Sequence, residues 1–248
     1  RYAGRSKRKT ARNIGSYSIE IAIKRLARYT FITDKYRDLY ERTVFPEDIM
    51  AAKAKGKYSL YLSGNGVPLP LMFNNTEEAL KPLTDFFQLG VRMMHLTYNR
   101  RNLLGDGCGE SNDGGLSDLG KRVVAEMNKL GIIPDVAHCG QQTSFEVATT
   151  SNKPVVASHS FVRTLHNHYR GKDDEVIGQI AKSGGYVGIC AIPHFLGRSG
   201  MLDALLDHVD YIAKKFGTDC VAVGTDREEV MGYMNSYDTP LRFRPRFE

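Results

Sequence analysis

The sequence of 248 residues lacks several features that would define its class at once. No apolar run approaches the roughly 18 residues that a membrane-spanning helix requires. No G-x-G-x-x-G follows the first predicted strand, so a dinucleotide site is poorly supported. The 4 cysteines show no C-x-x-C spacing, which argues against a zinc knuckle and against a dense disulfide framework. These absences exclude a membrane span and leave an enzyme or binding domain with a sizeable core.

The start of the sequence carries no secretory signal pattern of a basic stretch followed by an apolar one. Residue 1 is Arg, so we expect translation to begin upstream. Two of the cysteines lie in apolar runs, where cysteine acts as a small buried hydrophobe. This favours a reducing compartment such as the cytoplasm, and an upstream signal would instead send the protein to the periplasm or the outside.

The net charge of +6 comes from the first residues. The stretch "RYAGRSKRKTAR" holds six basic residues and no acid, and without it 28 basic residues (34 − 6) face 28 acidic ones. We therefore expect a basic tail over 1–15, a neutral domain over 16–230 and a C-terminal tail over 231–248. The tail is expected to be solvated, and no specific nucleic-acid partner is predicted; non-specific phosphate binding by the tail is a minor alternative.

Helical and strand-like segments alternate along the chain. The strands are continuous apolar runs, as in parallel strands covered on both faces. Six are predicted, at 58–62, 91–97, 132–137, 154–158, 185–191 and 220–225. A closed α/β barrel has eight strands, so the pattern predicts either an open sheet or a barrel with two strands upstream.

Polar residues follow these strands at their carboxyl ends, the face that carries the chemistry in an α/β barrel. They are Asn65, Thr97 to Asn99, His138, His159, His194 and Asp226. His138 and His159 lie 21 positions apart on neighbouring predicted strands, and a carboxylate follows a later one. Two neutral imidazoles with a carboxylate suit a hydrolytic zinc site. His95 falls inside a strand and is expected to be a packed core histidine, while His166, His168 and His194 are expected in loops.

Several stretches taken together resemble the membrane (renal) dipeptidase family of zinc peptidases, and in particular its bacterial members. They are "LGVRMMHLTYNRRNLLGDGCGESNDGGLSDLGKRVV", "DVAH", "PVVASHS", "HYRGKDDEVIGQIAKSGGYVGI" and "LDHVDYIAKKFGTDCVAVGTD", and the resemblance covers about 46 to 226. It implies a (β/α)8 TIM-type barrel of the metal-dependent hydrolase kind, with six of the eight strands visible, that binds two zinc ions and cleaves dipeptides.

The resemblance also implies roles for individual residues. His138 and His159 would be ligands of one metal position, and Arg170 would hold the carboxylate of the substrate. Asp226 would handle protons during attack on the peptide carbonyl. Tyr98 and Asn99 would line the substrate pocket.

Two departures from the family pattern stand out. No predicted strand ends in the H-x-D that supplies two ligands of the other metal position, which suggests truncation at the N-terminus. Asn65 falls where the family has a glutamate that bridges both metals, and a neutral amide is a poor replacement for a bridging carboxylate.

The sequence thus leaves two main hypotheses. The first is a zinc-dependent dipeptidase-like hydrolase with one or two zinc ions, which retention of His138, His159, Arg170 and Asp226 together favours. The second is a catalytically impaired pseudoenzyme that serves as a scaffold or subunit, which Asn65 favours. A homodimer is left open.

Overall fold

A computed structural model describes residues 19–70, 72–197 and 202–226 of the chain. The helices are α1 (Ile19–Lys35), α2 (Pro46–Ala54), α3 (Thr76–Gln88), α4 (Asp118–Leu130), α5 (Gln141–Thr150), α6 (Asp174–Lys182), α7 (Pro193–Leu196) and α8 (Leu202–Phe216). The strands are β1 (Tyr40–Thr43), β2 (Tyr58–Gly64), β3 (Val91–His95), β4 (Ile133–Asp135), β5 (Ala157–Ser160), β6 (Val187–Ile189) and β7 (Val221–Val223). The tails expected over 1–15 and 231–248 lie outside the described residues.

Local sequence signals begin and end the helices. The Ser117 side chain accepts a hydrogen bond from the Gly120 amide at the start of α4, and Gly131 ends the helix with φ 83°. Asn75 and Asp173 cap α3 and α6 in the same way. Among the described residues, no helix is long and apolar enough to cross a membrane.

All strand pairs are parallel and follow chain order, β1 to β4 in one sheet and β5 to β7 in a second. A single bridge between Asp135 and Val156 connects the sheets, flanked by the backbone hydrogen bond from the Val136 amide to the Val156 carbonyl, 2.8 Å. The seven strands form the α/β arc of a barrel that does not close within the described residues. The prediction of a parallel α/β fold is confirmed.

The predicted count of six strands is wrong, because the sequence reading missed β1. Its residues, "YERT", include two charged side chains, and only Thr43 is buried. A short strand at the edge of a sheet tolerates such a composition, since one side of it has no neighbouring strand to cover it. The other six strands lie where they were predicted, in most cases one to three residues shorter at an end.

Glycines allow the strands of the second sheet to pack closely. A Cβ atom at Gly188 or at Gly224 would overlap the backbone carbonyl of Ser158 in β5. The core lies between the sheet and its helices and includes Phe161 and Ile189, both fully buried. The backbone of β5 at Ser158 is therefore closely approached by β6 and by the residue that follows β7.

Candidate metal centre

The two histidines singled out by the sequence meet at the carboxyl ends of the strands. His138 follows β4 and His159 lies in β5, and their Nε2 atoms are 2.9 Å apart. The Nδ1 atom of His138 lies 2.7 Å from Oδ1, the side-chain amide oxygen of Asn99. An amide oxygen only accepts, so His138 carries its proton on Nδ1 and its Nε2 presents a lone pair. The Nδ1 atom of His159 lies 2.8 Å from the Ser158 hydroxyl, which suits either tautomer.

A third imidazole, that of His95, completes the cluster. Its ring centroid lies 5.0 Å from that of His138 and 5.2 Å from that of His159. One nitrogen from each of the three rings lies within 4.8 Å of the others. His95 is buried, as expected of a packed histidine, but its place in this cluster was not predicted.

Burial and neighbouring charges keep His138 and His159 neutral. Burial, followed by the charge of Arg170, holds the pKa of His138 far below its ordinary value. Burial, followed by the proximity of His95, lowers the pKa of His159 to about 3. Both imidazoles are therefore neutral near pH 7, the form that binds a metal.

Asp135 is a buried carboxylate beside the cluster. Its Oδ2 lies 2.8 Å from His95 Nε2, and its Oδ1 accepts from the amides of Ala137 and Ser158, at 2.9 and 3.1 Å. Burial alone would raise the pKa of Asp135, but the contact with His95 and these hydrogen bonds bring it well below the usual range. The side chain is therefore ionised and fully paired.

Arg170 points into the protein. Its guanidinium donates to the Ala137 carbonyl and lies 3.5 Å from His138 Nε2 and 3.4 Å from the His159 carbonyl. Only 3% of the residue is exposed, so it is no surface arginine paired with the aspartates that follow it. The structure thus brings Arg170 to the histidines.

Tyr98 and Asp226 flank the cluster on its solvent side. The half-exposed Tyr98 ring stacks on His138 with centroids 4.1 Å apart. Asp226 has φ 51°, and its Oδ1 lies 4.0 Å from His159 Nε2. These positions bring both residues to the cluster, where the sequence expected them, and their roles remain predictions.

Other residues of interest lie outside the cluster. Asn65 directly follows β2 and is exposed, whereas His95 and His138 are buried and His159 is half-buried. His194 was expected in a loop but lies in the short helix α7, where its ring contacts that of His168 at 5.3 Å. A polar cavity of about 430 Å³ lies nearby and includes Cys108, whose thiol donates to the Asn99 oxygen.

Sequence reasoning missed His95 and Asp135 as parts of the site. Both interrupt apolar strands with a polar side chain, and they are directly paired across β3 and β4. Buried polar side chains are nearly always hydrogen-bonded, so a polar residue at the end of each of two adjacent buried strands indicates that the two pair with each other. That was the signal the sequence offered.

The donors of this cluster fit a metal such as zinc. Two imidazole nitrogens bound to one tetrahedral zinc at 2.0–2.1 Å would be roughly 3.3 Å apart. The observed Nε2 atoms of His138 and His159 are 2.9 Å apart and face each other. Neutral imidazoles are favoured zinc ligands, so these two residues would hold the ion.

An arc of parallel strands with imidazoles and an aspartate at its carboxyl ends is typical of metal-dependent hydrolases of the barrel type. The family model described as membrane dipeptidase (peptidase family M19) matches residues 8–239. The chain belongs to this family.

Individual relatives are consistent with the family. The chain is 31% identical over 164 residues to the dipeptidase verJ of Clonostachys rogersoniana, covering 65% of this chain and 42% of the relative. The structure matches an amidohydrolase from Pseudomonas aeruginosa with a TM-score of 0.78 at 32% identity, over 86% of this chain and 64% of that one. It matches the metallo peptidase named dipeptidase AC with a TM-score of 0.75 at 25% identity, over 84% and 63%. The chain spans half or less of the length of the curated relatives it matches.

Proposed function

We propose that the protein is a zinc-dependent hydrolase that cleaves the peptide bond of dipeptides. The observation that carries the proposal is the facing pair of His138 and His159 nitrogens, with the Asp226 carboxylate 4.0 Å from the second one. The names of its relatives, dipeptidases and a metallo peptidase, supply the substrate class. Zinc bound there would lower the pKa of a bound water and polarise the peptide carbonyl.

The chain's own residues have separate tasks in this proposal. Asp226 accepts the proton of the attacking water and returns it to the leaving amine, the work of a general base and acid. Arg170 binds the substrate carboxylate, which offers the guanidinium a stronger charge-assisted pair than its present carbonyl partners. Asn99 fixes the His138 tautomer, in addition to its expected place with Tyr98 along the substrate pocket.

The proposal is tested on full-length protein purified without chelators, by metal analysis and a panel of dipeptides. We expect bound zinc and dipeptide hydrolysis that a chelator abolishes. Asp226→Asn should lower kcat by roughly 10²- to 10⁴-fold with zinc content unchanged. Asp219→Asn, at an exposed position nearby in the chain, is the matched control and should behave as wild type. Zinc-independent hydrolysis, or full activity of Asp226→Asn, would contradict the proposal.

A pseudoenzyme is the second candidate, and two observations support it. Asn65 is neutral and exposed, and the Arg170 guanidinium, a fixed positive charge, lies 3.5 Å from a nitrogen proposed to bind zinc. A cation so close opposes a second cation. Failure of the full-length protein to bind zinc even in excess would favour this candidate over the hydrolase.

A further inference from the structure

His95 has one nitrogen fixed by a carboxylate. It is the last residue of β3, and its Nε2 lies 2.8 Å from Asp135 Oδ2. Asp135 cannot turn away, because its other oxygen accepts from the amides of Ala137 and Ser158. A carboxylate only accepts, so Nε2 of His95 donates to Asp135 and Nδ1 is the ring nitrogen left for another partner.

The second ring nitrogen, Nδ1, has no hydrogen-bond partner among the described residues. Nδ1 of His95 is a buried atom without a hydrogen bond, one of two such side-chain atoms in the described part of the chain. By contrast, the buried His208 uses both nitrogens: Nδ1 accepts from the Val162 amide at 3.1 Å, and Nε2 lies 3.3 Å from the Leu196 carbonyl. Buried polar atoms are nearly always paired, so an unpaired ring nitrogen here indicates a ligand.

The neighbours of His95 identify that ligand. The rings of His138 and His159 lie 5.0 and 5.2 Å away, and nitrogens of all three rings fall within 4.8 Å of one another. Three imidazole rings that converge in this way suit a metal ion, which imidazole nitrogens bind readily. A zinc ion with three protein ligands and an open fourth position is the usual catalytic arrangement.

We propose that His95, through Nδ1, is a third ligand of a single zinc ion held with His138 and His159, and that Asp135 is the positioning residue for His95. This inference rests on the proposed function, because it concerns the same metal. The proposed site holds one ion bound by three imidazoles, whereas the family resemblance implies two metals bridged by a carboxylate. Asn65, exposed beyond the end of β2, then has no ligand role to fill.

X-ray absorption at the zinc edge tests the ligand count on the wild-type, full-length protein, without a substitution that could impair folding. We expect one zinc per chain, surrounded by three imidazoles at about 2.0–2.1 Å. Two imidazoles would overturn the role of His95, and a second zinc about 3.5–4 Å away would overturn the single-ion site. Either of these results leaves the proposed hydrolase standing, whereas no bound zinc at all overturns both.

Substitutions give an independent readout through zinc affinity, measured by competition with a chromophoric chelator. Asp135→Asn keeps the oxygen that accepts the two amides but removes the carboxylate from His95, and should weaken zinc binding roughly 10- to 100-fold. His95→Gln should weaken it further. His208→Gln is the matched control, a buried histidine outside the cluster, and should retain wild-type affinity. Wild-type affinity in both Asp135→Asn and His95→Gln would refute the proposal.

Discussion

The buried amine of Lys172 makes a prediction about stability at alkaline pH. The residue is fully buried, and its Nζ donates to the Cys139 carbonyl at 2.7 Å and to the Ser144 hydroxyl at 2.8 Å. Burial lowers the pKa of Lys172 from 10.5 to about 8. The unfolded chain exposes the amine to water and restores the ordinary pKa.

The sign of the effect follows from proton binding. Between the two pKa values the unfolded chain holds a proton that the folded chain has released, so the free energy of unfolding rises with pH. The shift predicts a gain of about 2 kcal/mol between about pH 7.5 and about pH 9.5. Below about pH 7 both states are protonated and the contribution no longer changes with pH.

Urea unfolding of the metal-free protein across this pH range measures the gain. Lys172→Met removes the titrating group, so the difference in unfolding free energy between wild type and variant should change by about 2 kcal/mol over the range. Lys121→Met, at a largely exposed side chain of α4, should follow the wild-type profile. Parallel profiles for wild type and Lys172→Met would refute the reasoning, because they would mean that the buried amine keeps its ordinary pKa.

Further substitutions, some with a matched control, test the residues that support the site and the fold. Asn99→Gly removes the acceptor for His138 Nδ1, so zinc affinity should fall roughly 10- to 100-fold. Glycine suits the local φ of 60°, so little stability should be lost. Asn99→Asp keeps an acceptor and should retain affinity, and equal losses of affinity in the two variants would contradict this role of Asn99. Gly188→Ala places a methyl group against a β5 carbonyl and should cost about 1–3 kcal/mol or more in chemical denaturation. Gly178→Ala in α6 meets only Phe216 at 3.6 Å and should stabilise by up to about 1 kcal/mol, so a loss there would contradict the packing argument. Asn75→Ala removes the cap of α3 and should cost about 1 kcal/mol, measured in the same way; an unchanged midpoint would refute a stabilising cap.

Much of the fold could be read from the sequence because its signals are local. Continuous apolar runs located six strands, and Ser117 and Gly131 located the ends of α4. The strand β1 carried no such signal, since its two charged residues and its short length are tolerated only by its position at the sheet edge.

The candidate site was predictable only where polar residues follow strands. His138, His159 and Asp226 stand out in this way, and the structure brings them together. The roles of His95 and Asp135 could not be predicted, because in the sequence a histidine packed in the core cannot be distinguished from one that binds a metal. Only the strand register, which pairs these two residues directly, distinguishes the cases.

The position of Asp135 ties the metal centre to the seam between the two sheets. The carboxylate belongs to β4, holds His95 at the end of β3 and accepts from the Ser158 amide in β5. The backbone bridge between the sheets is made by the same residue. A local opening of this seam would separate His138 from His159, so loss of the ion and exchange of the buried amides beside it would occur as a single event. Bound zinc would then link the two sheets, and the rate at which the contact between them opens would set an upper limit on how long the protein retains its metal.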